Sequence, residues 1–336
     1  MEYRRLGQAG VKVSPLCLGT MMFGGPTEEG ESVRIIHRAL DAGINFIDTA
    51  NVYNGGESER IVGRALKGRR DGVVLATKVR SAMGDGPNEG GSSRFHIVSE
   101  VEASLRRLDT DRIDLYFLHR PDDETPIEET LRTLDDLVRQ GKVRYIGASN
   151  FYAWQVMAAL WTSDRRNLER FVCLQSLYNI VNRDVEVEIL PACAACGLGF
   201  VPYSPLARGV LTGKYRPGAP YPAGSRAARG DRRMQQTELR EESYQAAQEL
   251  MPLAEARGKT LSQLALAWLL GNPLVTSPII GPRTMEQLED NLGALGWSLT
   301  PEEEAAVDRL VPPGEHTGYG FNDPLYPVMG RPARAR

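Results

Sequence analysis

Apolar runs of strand length alternate with amphipathic runs of helix length along almost the whole chain, and this rhythm limits the fold more than any other feature. Such alternation covers each strand with helices and is satisfied by a parallel β/α architecture. Strand-length runs lie at 15–20, 45–48, 73–77, 113–118, 143–148, 171–175, 199–203 and 274–280. Helical patterning fills the intervals at 32–42, 57–66, 95–108, 127–139, 154–161, 187–195, 241–257 and 302–310. Further helices are expected at 261–269 and from Thr284. Val101, Leu105 and Leu108 have the spacing of one helix face, as do Leu131, Leu134 and Val138. Eight strands in one rhythm favour a closed (β/α)8 TIM barrel over an open doubly wound sheet. No strand run is followed by G-x-G-x-x-G, the dinucleotide fingerprint of the open sheet, and the glycine-rich 84–91 lacks that spacing.

At 336 residues the chain exceeds an average domain, yet barrels of this kind reach that size, so one domain is expected over 1–336. Residues 3–6 and 11–13, around Gly10, read as an N-terminal β-hairpin that closes the barrel bottom. Residues 215–236, rich in Pro, Gly and Arg, read as a long loop at the C-terminal face, and 312–336 as an irregular C-terminal tail. With 40 basic and 43 acidic residues there is no broad basic field for nucleic acid. No apolar run approaches the roughly 18 residues of a membrane span. The first twelve residues are polar, unlike a signal peptide. A cytoplasmic protein without a membrane partner is expected, and a homo-oligomer is compatible with the sequence. Four cysteines make no disulfide framework. Cys193 and Cys196 form a C-x-x-C, but they lie in a helical stretch without a second such pair. They read as packing residues, like Cys17 and Cys173, and no metal site is expected.

In a barrel the active site is built at the carboxyl ends of the strands. Polar residues recur at that level: Asp48 and then Tyr53, Lys78, His119, Ser149 with Asn150, Gln175, Tyr203 with Ser204, and Gly281. A phenol is a poor acid at neutral pH unless tuned. A nearby ammonium stabilises phenolate and is expected to lower that pKa, while a carboxylate keeps the ammonium charged. Asp48, Lys78 and Tyr53 can form that relay, with His119 donating to a carbonyl oxygen. The set suits protonation of an oxyanion as hydride reaches carbon.

The segments INFIDTANVYNGGESERIVGRAL, VVLATKV, DRIDLYFLHRPD, VRYIGASNF, LQSLYNIVNRD, VPYSPLARGVLTGKY and PIIGPRTMEQLEDNLGAL carry a family likeness. From about Tyr3 to Leu310 the chain resembles the aldo-keto reductase superfamily, in the branch of bacterial reductases related to potassium-channel β-subunits. The resemblance implies a catalytic tetrad of Asp48, Tyr53, Lys78 and His119, with Tyr53 the general acid. It implies an NADPH/NADP cofactor whose carboxamide is held by Ser149, Asn150 and Gln175 and whose nicotinamide stacks on Tyr203. Ser204, Leu206, Gly209 and Lys214 match the pyrophosphate loop, and Gly281, Arg283, Gln287 and Asn291 the adenosine end. Thr20 and Met21, at the first strand end, join the cofactor set.

The leading function is therefore an NADPH-dependent oxidoreductase that reduces a small-molecule aldehyde or ketone. A cofactor-binding regulatory subunit with weak turnover and a Schiff-base lyase using Lys78 are the alternatives. Arg80 and Arg120 point to a polar or anionic substrate unless they pair with acids such as Asp122. Met21, Met22 and Phe23 are expected at the barrel mouth, and Trp154, Trp161, Trp268 and Trp297 in the core or between helices. His37, His96 and His316 are expected on the surface.

Overall fold

The computed structural model describes residues 1–318 together with Asp323. Strands β1 (Arg4–Arg5) and β2 (Lys12–Val13) pair antiparallel as the expected hairpin. The other strands are β3 (Cys17–Gly19), β4 (Phe46–Asp48), β5 (Val74–Val79), β6 (Ile113–Leu118), β7 (Val143–Ser149), β8 (Phe171–Gln175), β9 (Gly199–Phe200) and β10 (Ile279–Ile280). They form a parallel sheet in the order β10-β3-β4-β5-β6-β7-β8-β9. Main-chain bonds from Thr276 N to Phe200 O and from Ile279 N to Pro202 O, both 2.8 Å, join the two end strands. The ring so closed is a (β/α)8 barrel.

Helices α1 (Glu29–Asp41), α2 (Glu57–Leu66), α3 (Arg94–Leu108), α4 (Ile127–Arg139), α5 (Ala153–Arg166) and α6 (Ile189–Cys196) follow β3 to β8 in turn. Beyond β9 come α7 (Arg232–Thr237), α8 (Glu241–Glu255) and α9 (Leu261–Gly271), and beyond β10 come α10 (Met285–Leu292) and α11 (Pro301–Leu310). Local chemistry sets several starts. Thr260 with Gln263 and Thr300 with Glu303 form capping boxes, the second followed by Pro301 at the first helical position.

Two apolar clusters divide the core. One lies between sheet and helices; the other fills the barrel with Cys17, Phe46, Val74, Ala76, Leu115, Phe117, Cys173, Val201 and Ile279. Leu6 and Val13 of the hairpin belong to the inner cluster, which is how the hairpin plugs the bottom. Gly7 makes the plug fit: its φ is +59°, and a Cβ there would stand 2.4 Å from the main-chain nitrogen of Gly199.

Four expectations need correction. The supposed loop at 215–236 contains helix α7, started by Asp231, whose carboxylate accepts from Met234 N, and anchored by buried Met234 and Thr237. A single short turn leaves too little periodicity to read. His96 is buried near the start of α3, not on the surface. Trp154 and Trp161 are 58% and 62% exposed on α5, whereas Trp268 is buried. Phe23 is buried in the core and does not line the mouth. Of the expected tail, residues 319–322 and 324–336 lie outside the described residues.

Candidate active site

Side chains on a strand point alternately to the two faces of the sheet. Phe46, Ala76, Phe117, Cys173, Val201 and Ile279 all face the barrel interior. Two residues further along each strand stand Asp48, Lys78, His119, Gln175, Tyr203 and Gly281. Gly147, which abuts the inward-facing Phe117 and Cys173, is followed at the same interval by Ser149. The interior parity that builds the core thus delivers the polar ring to the carboxyl end. Main-chain bonds extend the ladder beyond the strands, from Thr49 N to Ala76 O and from Asn51 N to Lys78 O. They lead β4 into the tight turn at Tyr53–Gly56 that presents the phenol.

Lys78 is fully buried, and its ammonium makes three hydrogen bonds: to Asp48 Oδ1 at 2.5 Å, the Thr49 carbonyl at 2.7 Å and Tyr53 OH at 3.1 Å. Those three acceptors account for all of its donors. Gln175 Nε2 donates to the other Asp48 oxygen at 2.9 Å. Burial works against the Lys78 charge, but Asp48 and Tyr53 outweigh it and hold its pKa above the ordinary value. For Tyr53 the balance differs from the sequence expectation. Burial pushes the phenol above its ordinary pKa, and the pull of Lys78 only offsets part of that. The resting group is therefore the neutral acid. His119 meets the Tyr53 ring edge-on, with centroids 5.9 Å apart. Burial, with Lys78, Arg120 and Arg80 nearby, drops its pKa well below the usual imidazole range. It is neutral, and its buried Nδ1 has no partner among the described residues.

A second buried network braces this arrangement from behind. Glu59, fully buried on α2, accepts from Thr77 Oγ1 at 2.5 Å and from Arg107 Nε at 2.6 Å. Arg107 also reaches Glu100, which accepts from Asn51 Nδ2 at 2.9 Å. Thr77 precedes Lys78, and Asn51 leads into the Tyr53 turn, so the segments that carry Lys78 and Tyr53 are both tied to one guanidinium. Sequence reading missed Glu59, Glu100 and Arg107, which lie on helices with no motif of their own.

The mouth opens into a cleft of about 810 Å³, within the size range of small-molecule and cofactor sites. Every site residue expected from sequence lines it except Lys78, which lies beneath the floor. Thr20 places its hydroxyl against Ser58, at 2.8 Å, while Met21 stands on the rim. Asn150 Nδ2 donates to Ser149 Oγ and to the His119 carbonyl, both at 3.0 Å, and its Oδ1 accepts from Tyr203 OH at 2.8 Å. After β9 the chain passes Ser204 and Leu206 in tight turns to Gly209, whose φ is +101°. A Cβ there would lie 2.8 Å from Lys214 Nζ, so glycine is what lets the ammonium settle over the loop. Lys214 is depressed by burial and then by Arg283, Arg226 and Arg229. At the start of α10, Gln287 Oε1 accepts from Arg283 N at 2.9 Å, and Asn291 is buried one turn later. Arg226, Arg232 and Arg233, arginines of the 215–236 segment that the sequence offers to pyrophosphate charge, line the cleft too, and so does Arg208, which carries no positional signal in the sequence.

A cation group with few acids around it awaits an anion. Lys214, Arg226 and Arg283 therefore fit the phosphates of a dinucleotide, and the amides near Tyr203 fit its nicotinamide end. Among the described residues no cluster of His, Cys, Asp and Glu could hold a metal ion, and no helix is long and apolar enough to cross a membrane.

Comparison with known proteins agrees with this geometry. The sequence profile of the aldo/keto reductase family matches residues 15–312. The chain is 42% identical over 330 residues to an uncharacterized oxidoreductase of Bacillus subtilis, YrpG, covering 94% of this chain and 98% of the relative. It is 40% identical over 301 residues to a probable voltage-gated potassium channel subunit beta of Arabidopsis thaliana, covering 88% and 91%. It is 35% identical over 346 residues to the versiconal hemiacetal acetate reductase of Aspergillus parasiticus, covering 94% and 100%. A barrel with this ring of residues and a profile match over most of its length belongs to the aldo/keto reductase family and is an oxidoreductase.

Proposed function

We propose that the protein reduces aldehydes or ketones to alcohols with NADPH, Tyr53 acting as general acid. The observation that carries this reading is a phenol at a cleft floor, hydrogen-bonded to a buried, fully satisfied lysine. When bound, the dinucleotide supplies the hydride. Tyr53 gives its proton to the carbonyl oxygen, and the Lys78 ammonium stabilises the phenolate left behind. Asp48 maintains the charge on Lys78, and the neutral imidazole of His119 donates its single N–H to the same carbonyl oxygen. Ser149, Asn150, Gln175 and Tyr203 orient the nicotinamide end. Ser204, Leu206, Gly209 and Lys214 hold the pyrophosphate, and Gly281, Arg283, Gln287 and Asn291 the adenosine end, with Thr20 and Met21 at the rim. The free thiols Cys17, Cys173, Cys193 and Cys196 suit a reducing, cytoplasmic setting. A panel of carbonyl compounds, with NADPH oxidation followed by absorbance, tests the reading directly.

Arg283 supports a preference for NADPH over NADH, because a guanidinium binds a 2′-phosphate in a bidentate, charge-assisted manner. Arg283→Ala is expected to weaken NADPH binding roughly 10- to 100-fold, the scale of one charged hydrogen bond, and to leave NADH binding nearly as before. Equal weakening of both dinucleotides in fluorescence titration would remove the assignment.

The segment at 215–236, which runs into helix α7, is proposed to close over the dinucleotide. Its Arg226 touches Met22 Sδ at 3.4 Å, and its Gly224 carbonyl accepts from Arg283 Nη1 at 3.4 Å. Its base is anchored by buried Tyr215, packed against Tyr244. Hydrogen exchange in 215–236 should slow on adding NADPH. Unchanged protection would argue against closure.

The Arabidopsis relative favours a second reading, a dinucleotide-binding regulatory subunit. NADPH binding without turnover on a broad carbonyl panel would favour it. A Schiff-base lyase needs a neutral amine, and the satisfied ammonium of Lys78 speaks against one.

A further inference from the structure

The basic side chains of the cleft fall into two groups. Lys214, Arg226 and Arg283 line it at the loop end, with the charge of Arg229 close by, and dinucleotide phosphates account for them, while Arg208 is paired with Glu238. Arg120 lies at the other end, directly after His119, and lines the cleft. Its pKa is lowered by burial and then by Arg80 and Arg233. Among the described residues Arg120 and Arg80 form no ion pair. Asp122, the acid nearest in sequence, feels the charge of Arg80 but forms no ion pair with it, and its oxygens accept from Ser92 N at 2.6 Å, Thr125 Oγ1 at 2.8 Å and Glu124 N at 3.4 Å. Arg233 differs, because Asp323 meets it with two bonds of 2.6 Å.

Arg80 carries two further marks. Its φ is +110°, well outside the left-handed well near +50° to +60° where the other described non-glycine residues with positive φ sit. Its Nε is buried without a hydrogen-bond partner among the described residues. Strained backbone and an unpaired buried donor next to a reacting centre are costs that persist where function uses them. Neither is explained by the dinucleotide phosphates.

We propose that Arg120, backed by Arg80, forms a substrate subsite for an ionised oxyanion group, so that the substrate is a small aldehyde or ketone bearing a carboxylate or phosphate. The carbonyl lies at Tyr53 and His119, and the anion reaches toward the Arg120 guanidinium. This rests on the reductase reading above for the position of the carbonyl, whereas the anion site itself does not depend on turnover.

Two matched pairs test it: benzaldehyde against 4-carboxybenzaldehyde, and glyceraldehyde against glyceraldehyde 3-phosphate. In the wild type, kcat/KM is expected to be at least about tenfold higher for the charged member of one pair, and the pair that responds tells carboxylate from phosphate. Arg120→Ala should cut that preference roughly 10- to 100-fold, mostly in KM, and Arg120→Lys should restore part of it. Calorimetry with benzoate and with inorganic phosphate, on protein with and without NADP, supplies an arm free of turnover. Anion binding that Arg120→Ala abolishes, in a protein that reduces none of the aldehydes, would keep the subsite and overturn the reductase reading. Equal kcat/KM within both pairs, or anion binding indifferent to Arg120→Ala, would overturn the subsite while leaving the reductase intact.

Discussion

Tyr53→Phe lowers kcat for the best carbonyl substrate by roughly 10²–10⁴-fold, the usual contribution of a positioned general acid, with NADPH affinity nearly unchanged. Only the hydroxyl is removed, and the ring that faces His119 stays in place. Lys78→Met is comparably damaging, because it leaves the phenolate formed in the reaction without its ammonium and Asp48 without its 2.5 Å partner. The double variant should fall little further than either single one, since the two groups act as a unit. The partly buried phenol, held above its ordinary pKa by desolvation, stays in the acid form through neutral pH, so reduction should decline on the alkaline side. Full reductase activity in Tyr53→Phe would sink the mechanism.

Arg107→Ala is expected to cost about 3–5 kcal/mol of folding stability, the range for breaking a buried ion pair from one side. The size follows from what remains: Glu59, fully buried, would keep Thr77 but lose its only ion-pair partner among the described residues. Replacing both charges, in Glu59→Leu with Arg107→Leu, should recover much of that loss, because no uncompensated charge stays inside. Urea denaturation of the wild type and the two variants decides the matter through the midpoint at constant slope. A loss under about 1 kcal/mol in Arg107→Ala would place the pair among ordinary surface contacts. Because the same guanidinium also serves Glu100, and through it Asn51, some loss of kcat should accompany the loss of stability.

The rhythm of strands and helices was legible because each element repeats its apolar period over several residues. The polar residues at strand ends were legible because an apolar run stops on each of them. Structure at 232–237 was not, since six residues give a helix too short for its spacing to show. The exposure of Trp154 and Trp161 ran against their hydrophobicity, which fixes where most such residues go but not each one. The rise in the Tyr53 pKa needed three dimensions: sequence puts an ammonium near the phenol, whereas only the fold shows how little water reaches it. The brace through Glu59 and Arg107 joins residues 48 positions apart on different helices, a distance across which no local pattern speaks.

The closure of the barrel has a consequence beyond shape. Where β9 meets β10, two-residue strands are joined by the main-chain bonds from Thr276 and Ile279 and by Phe200 N donating to Thr276 Oγ1 at 3.2 Å, whereas β6 and β7 share a long register. Opening is cheapest where the fewest bonds break, so the ring has a built-in seam. Tyr203 rises on one lip of that seam and Gly281 on the other. A dinucleotide bound as proposed would be gripped by both lips and would act as a fastener, locking the hoop against gaping.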